Sequence, residues 1–213
     1  MKNIFIAALL ALAAGMSARA QVPSYIEVSP DLGPQIQIAL PGAGDFDLYD
    51  SGVGMELQFR DWVNQPWGYL LAIGYAEWQA DSGATKPGAN FYDYDGDLEI
   101  IPFGASAIYQ VFSDDDLSVT LEAGFRYLIM DSKIDARNSD QSPTERYDLD
   151  IGDSIVARFA GDVEYVLSKD FIGAVGLAYQ LDTKRGDIDT DLGPARDNIM
   201  ESFILELSLR MPL

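Results

Sequence analysis

The chain has 213 residues, with 34 acidic against 14 basic side chains, no histidine and no cysteine, and a formal charge of −20 at neutral pH. That charge repels nucleic-acid phosphates and anionic lipid headgroups, so a nucleic-acid partner is not expected. Without histidine or cysteine there is no Ser-His-Asp, Cys-His or Asp-His mechanism, no usual zinc site and no disulfide framework, so neither an enzyme nor a bound cofactor is expected.

Residues 1–20, MKNIFIAALLALAAGMSARA, place Lys2 ahead of an apolar core from Ile4 to Ala14 and end in Ala18-Arg19-Ala20. This is the pattern of a secretory signal peptide with an A-x-A cleavage site, too short for a membrane-spanning helix. The mature domain is then 21–213. Loss of Lys2 and Arg19 leaves 12 basic residues against the same 34 acids, or −22. No later apolar run approaches the roughly 20 residues of a spanning helix. The longest, Trp67 to Ala76, contains two glycines. If the mature chain enters a membrane, a closed barrel is the one architecture open to it.

A first strand is expected near Pro23 to Ser29. The segment Gln35 to Leu40 alternates better, but it lies between Pro34 and Pro41. Gly52 to Arg60 sets Val53, Met55, Leu57 and Phe59 against Glu56, Gln58 and Arg60, a period of two that defines a two-faced strand. After a short link at 61–66 the pattern resumes in Trp67–Trp78. A long polar loop at 79–97 precedes Leu98–Phe112, where Pro102 predicts a bulge or an end. The turn 113–116 leads to Leu117–Met130, and a second long loop reaches Asp153. Ser154–Leu167, the turn 168–170 and Phe171–Asp182 follow. A last loop, 183–200, hands over to Glu201–Leu213. There Phe203, Leu205, Leu207, Leu209, Met211 and Leu213 alternate with Glu206, Ser208 and Arg210. Eight strands with alternating long and short links predict an all-β, eight-stranded antiparallel up-and-down transmembrane β-barrel.

Alternation alone does not say which face turns outward, since a soluble lipocalin-like barrel has the inverse arrangement. Three features favour lipid outside. The non-apolar faces are small (Gly68, Ala72, Gly74; Ala174, Gly176, Ala178), as a tight lumen needs. The lysines of the mature chain fall in expected loops and turns. Aromatics gather at strand ends on the apolar phase: Phe59, Trp67, Tyr69, Tyr109 and Tyr165 by the short turns, Tyr75, Tyr127 and Tyr179 towards the long loops. Two such belts suit two membrane interfaces.

On the opposite face, Arg60 and Arg210 stand lowest, Glu56, Glu122, Asp162, Glu164 and Glu206 in the middle, and Arg126 and Arg158 highest. Unpaired charges in so narrow a bore are costly, so a lumen closed by Arg–carboxylate pairs is expected. A gated conduit with exchanging pairs is the alternative.

Strand count, loop rhythm and above all the C-terminal strand, with apolar residues at alternate positions from the end, resemble the OmpA/OmpX-type family of small outer-membrane β-barrels. The chain ends in Pro212-Leu213 where the family usually ends in an aromatic residue. The resemblance implies a Gram-negative-type envelope, insertion by the outer-membrane assembly machinery, and contact with outer-membrane lipid and lipopolysaccharide. A monomer is expected. Barrels of this kind that act on lipid acyl chains or as surface proteases rely on histidine, which is absent here.

The expected long loops are acidic. Asp93, Asp95 and Asp97 in YDYDGD, like the acids of YDLDIGD and GDIDTD, are candidate hard-oxygen ligands for Ca²⁺, without the full EF-hand spacing. The functional expectation is a non-enzymatic barrel with a structural or surface-interaction role. A narrow channel for small or apolar solutes and an exported soluble binding barrel are the alternatives.

Overall fold

The computed structural model describes residues 30–41, 49–80, 92–138, 146–184, 186–190, 193–198 and 201–213. Every regular element among them is a strand: β1 (Asp31–Pro41), β2 (Tyr49–Asn64), β3 (Trp67–Ala80), β4 (Tyr92–Ser113), β5 (Leu117–Asn138), β6 (Arg146–Ile151), β7 (Ser154–Ser168), β8 (Phe171–Lys184), β9 (Gly186–Thr190), β10 (Gly193–Asn198) and β11 (Ser202–Pro212). Eight of them, β1 to β5, β7, β8 and β11, form a closed antiparallel barrel. Each pairs with the next in chain order, and β11 returns to pair with β1. Three more strands extend the wall at the long-loop end: β6 on β5, β9 on β6 and β10 on β9.

The first barrel strand is not where it was expected. Residues 23–29 lie outside the described residues, and the strand between β2 and β11 is Asp31–Pro41. It tolerates Pro34 because the ladder to β11 skips Gly33 and Pro34 and resumes at Gln35 opposite Ser208, while Pro34 remains opposite Leu57 of β2. A proline costs a strand one donor, and here only one of two neighbours loses a partner. The first long link therefore shrinks to 42–48.

Pro102 likewise neither ends nor bulges its strand. It stands mid-β4 opposite Leu128 of β5, and on its other side the β3 ladder passes from Ile73–Phe103 to Ala76–Ile100. The irregularity in β4 falls instead between Gln110 and Phe112.

The remaining expected loops are partly strand. β3 runs on to Ala80, β4 begins at Tyr92, β5 continues to Asn138, and β6, β9 and β10 occupy much of the rest. An apolar/polar alternation marks a strand only where its two faces meet different surroundings. Above that band both faces are polar, and the sequence signal fades while the ladder continues. For the same reason Lys133 and Lys184, expected in loops, lie in β5 and β8. The residues of the expected signal peptide lie outside the described residues.

The sides of the wall are plain. Leu205, Leu207 and Leu209 of β11 are 43, 48 and 44% exposed, whereas Glu206 and Arg210 between them are buried at 1%. β1 repeats the pattern, with Ile36, Ile38 and Leu40 outside and Gln35 and Gln37 inside. Around the barrel, exposed Val, Leu, Ile and Phe form a continuous apolar exterior, far beyond the scattered apolar exposure normal for a water-facing surface. Leu207→Arg sets a charge in the middle of that exterior. In bilayers it is expected to lower folding stability by about 2–4 kcal/mol, read by urea unfolding in lipid vesicles. A change below experimental error would remove hydrocarbon from the outer face.

Candidate functional site: the ion-paired lumen

The inner face is layered along the barrel axis. Near the short-turn end, Arg60 of β2 donates through Nη1 to Glu164 Oε1 at 2.5 Å and through Nη2 to Asp162 Oδ2 at 2.8 Å. Arg210 of β11 reaches the same Glu164 oxygen at 2.9 Å and Asp31 at 3.4 Å. Ser118 donates to the second oxygen of Glu164 at 3.0 Å. Glu164 thus ties β2, β5, β7 and β11 together across the bore.

A second cluster lies above. Arg126 of β5 reaches Glu122 at 3.1 Å and Glu56 at 3.4 Å, and donates to Ser106 Oγ at 2.9 Å. Arg158 of β7 donates from Nε to Glu122 at 3.0 Å and from Nη2 to Glu206. Neutral amides complete the layer: Gln58 and Gln37 both donate to Gln35 Oε1, at 2.6 and 3.0 Å, and Gln37 also reaches Glu206 at 3.2 Å. All four arginines are at most 1% exposed, so their stems and heads fill the bore of a barrel only wide enough for side chains.

Towards the long loops the lining turns apolar, with Trp78, Leu98, Ile100, Leu128, Val156 and Ile204 in one buried cluster. A smaller cluster of Leu70, Ala72 and Ile108, with Trp62 against it, covers the β3–β4 wall nearer the short turns.

The small inward residues have a specific task. Gly74 is opposite Glu56 and Gly104 opposite Arg126. A Cβ on Gly74 would stand 2.8 Å from Glu56 Cγ, and one on Gly104 2.9 Å from Arg126 Cδ. Each glycine leaves the space over which its long cross-strand neighbour folds.

All nine charged residues singled out from the sequence (Glu56, Arg60, Glu122, Arg126, Arg158, Asp162, Glu164, Glu206 and Arg210) face this lumen. Which acid meets which arginine was not given by the spacing. The acids divide between the clusters, Asp162 and Glu164 with the lower arginines, Glu56, Glu122 and Glu206 with the upper. Reasoning from sequence missed Asp31, because the first strand was sought upstream of it. It also missed the bridging glutamines Gln35 and Gln37, whose signal, alternation with Ile36 and Ile38, is present in QIQIAL.

The aromatic residues form cross-strand pairs at both ends of the apolar exterior. Trp67 and Tyr109 have ring centroids 4.6 Å apart, and Phe59 and Tyr69 6.2 Å, at the short-turn end; Phe103–Tyr127 at 5.2 Å and Tyr179–Phe203 at 4.9 Å lie towards the long loops. Tyr75 and Tyr165 are exposed on the same outer face. Several hydroxyls reach acids at the rims: Tyr69 donates to Asp61 at 3.0 Å, Tyr127 to Asp153 at 2.7 Å and Tyr179 to Glu201 at 3.1 Å. Apolar ring and polar tip are thus divided as an interface demands.

Asp93, Asp95 and Asp97, expected in a loop, belong to β4, opposite Arg137, Asp135 and Lys133 of β5. A strand sets alternate residues about 6.8 Å apart along one face, whereas a calcium loop wraps its ligands around the ion. The side chains of Asp93 and Asp95 lie outside the described residues. Among the described residues no three acidic side chains are grouped to hold a metal.

A closed eight-stranded barrel, apolar outside and lined with buried ion pairs, defines the class of small membrane-type β-barrels. Solved structures of that class are similar in fold to this chain. OprG, an outer membrane protein of Pseudomonas aeruginosa, aligns with a TM-score of 0.54 and 13% identity over 86% of this chain and 92% of its own. A major outer membrane protein from Thermus thermophilus gives 0.53 and 14% over 86% and 99%, and Neisserial surface protein A gives 0.50 and 16% over 86% and 96%. No protein-family model matches the sequence, and no curated protein matches it.

Removing one guanidinium from the lumen strands its acids. Arg60→Met leaves Asp162 without its cation and Glu164 with Arg210 alone, and is expected to cost about 3–5 kcal/mol. Lys133→Met breaks only the pair with Glu99, whose lysine side chain is 60% exposed, and is expected to leave stability within experimental error. Urea unfolding of both variants in the same vesicles reads the contrast; equal losses would show that the lumen pairs carry no special weight.

Proposed function

We propose that the protein is a non-enzymatic outer-membrane barrel with a structural or surface-interaction role, its lumen closed by Arg–carboxylate pairs. The observation that carries this is the pairing of an apolar exterior, bounded by two aromatic belts, with an interior in which four arginines are almost wholly buried. The exterior fits hydrocarbon. The interior offers no histidine or cysteine, and among the described residues no grouped metal ligands, for chemistry. The fold similarity to outer-membrane proteins supports the same location. On this reading residues 1–20 direct export and are removed, the assembly machinery inserts the chain, and the acidic strand extensions and loops face outward, where divalent cations can bridge them to lipopolysaccharide. Contacts with other surfaces are made there, since loops held on a rigid scaffold are the usual carriers of interaction.

The alternative, a narrow channel for small or apolar solutes, requires the two arginine clusters to part. Two measurements separate the readings. The protein is expected in the outer-membrane fraction and to migrate differently on a gel before and after boiling; recovery in the soluble periplasmic fraction would remove the membrane assignment. Purified protein in planar bilayers is expected to be silent in single-channel recording, and discrete conductance steps would establish the channel.

A further inference from the structure

The lumen holds more acid than base. Among the described residues six buried carboxylates (Asp31, Glu56, Glu122, Asp162, Glu164 and Glu206) face four buried guanidiniums. Hydrogen bonds can stabilise such an excess but do not neutralise it, and buried groups relieve it by taking up protons or cations. The excess is sharpest at one point. Asp162 of β7, Gly176 of β8 and Glu206 of β11 are direct neighbours across three adjacent strands. Because Gly176 has no side chain, the two acids lean into the same gap. A Cβ on Gly176 would collide with Asp162 Oδ1 and stand 3.4 Å from Glu206 Oε2. The outer oxygens are engaged: Asp162 Oδ2 accepts from Arg60, and Glu206 Oε1 from Arg158 and Gln37. Glu206 Oε2 is buried and no donor faces it.

We propose that Asp162 and Glu206 hold one proton between them over Gly176, with Glu206 as the neutral acid donating from Oε2 to Asp162 Oδ1. The partners assign the roles. Arg60 already donates to Asp162 Oδ2 at 2.8 Å, while the Oε1 of a neutral Glu206 can still accept from Arg158 and Gln37. The surroundings favour this. From β7, Arg158 and Asp162 face Glu206; from β5, Glu122; from β2, Glu56 lies within the field of Arg158. At this level β1 presents Gln35 and Gln37, and β8 Gly176 and Gln180, none of them charged. Arg210, further along β11, is committed to Asp31 and Glu164. Among the described residues Arg158 is thus the one cation paired with Glu206, and it is shared with Glu122 at 3.0 Å. A metal ion is the poorer occupant, because two carboxylates fall short of the six or more oxygens a calcium ion collects.

A folded barrel that keeps a proton which the unfolded chain releases in the ordinary carboxylate range loses stability as pH rises through mildly acid values, and the loss levels off once the barrel releases the proton too. Glu206→Gln mimics the neutral acid: its amide N–H donates to Asp162 and its amide oxygen accepts from Arg158 and Gln37. The variant is expected to lie nearest the wild-type urea midpoint at mildly acid pH, to equal or exceed it at neutral pH, and to lack the decline that the wild type shows between the two. A midpoint lowered equally at every pH, the mark of a lost ion pair with Arg158, would overturn the proposal. Infrared spectra of the wild type in bilayers at neutral pH provide a reading that needs no variant. A protonated-carboxyl band is expected, and its absence would overturn the proposal; where the variants fold, the band is expected to vanish in Glu206→Gln and in Asp162→Asn. Finally, exchange of sodium for choline, or addition of calcium, at constant ionic strength is expected to leave the wild-type midpoint unchanged. A shift that Glu206→Gln removes would overturn the proposal and assign the gap to a metal cation instead.

Discussion

Four guanidinium groups buried inside a bore no wider than two facing side chains are the constraint from which the rest of the architecture follows. A charge withdrawn from water needs partners on every side, and in this barrel most of them come from other strands. Glu164 and Glu206 work as cross-braces between strands that are not neighbours in the wall, while Glu122 joins Arg126 of its own strand to Arg158 of the next. Glycine stands beside Glu56 and Arg126 because the backbone of the adjacent strand approaches it closely, and the long side chains fold over the space that it leaves. The outer face is governed by a different solvent and carries none of these demands.

Two solvents written on alternate residues made the barrel legible. In β2, β3, β5, β7, β8 and β11 the apolar phase runs through most of the strand, and the faces, the inward charges and the short turns (read at 61–66, 113–116 and 168–170, found at 65–66, 114–116 and 169–170) were legible. Where only one solvent acts the reading failed. YDYDGD shows no apolar phase, so its place at the start of β4 was hidden, as was the continuation of β5 past Met130. The two prolines misled for a second reason. Proline is judged against a strand with two bonded neighbours, but Pro34 and Pro102 each sit where one ladder pauses and the other holds. That is a property of pairing, which no local pattern contains.

The lumen was half legible. Period-two spacing told which charges point inward, yet not which acid meets which arginine, because contact across the bore depends on shear and tilt. Arg60 and Glu164 are 104 positions apart and touch at 2.5 Å. Asp31 shows the cost of a misplaced strand: a whole partner was lost with it. The change of lining from charged to apolar towards the long-loop end was visible only once Trp78, Leu98, Leu128 and Ile204 were brought together.

β4 and β5 are 22 residues long, twice the length of β1 and β11, and among the described residues β6, β9 and β10 build outward from β5. The mouth is consequently lopsided, a tall palisade on one flank and a low sill at the β1–β11 seam. A partner approaching from the side meets a different surface according to its bearing, so the molecule has a front and a back as well as an inside and an outside.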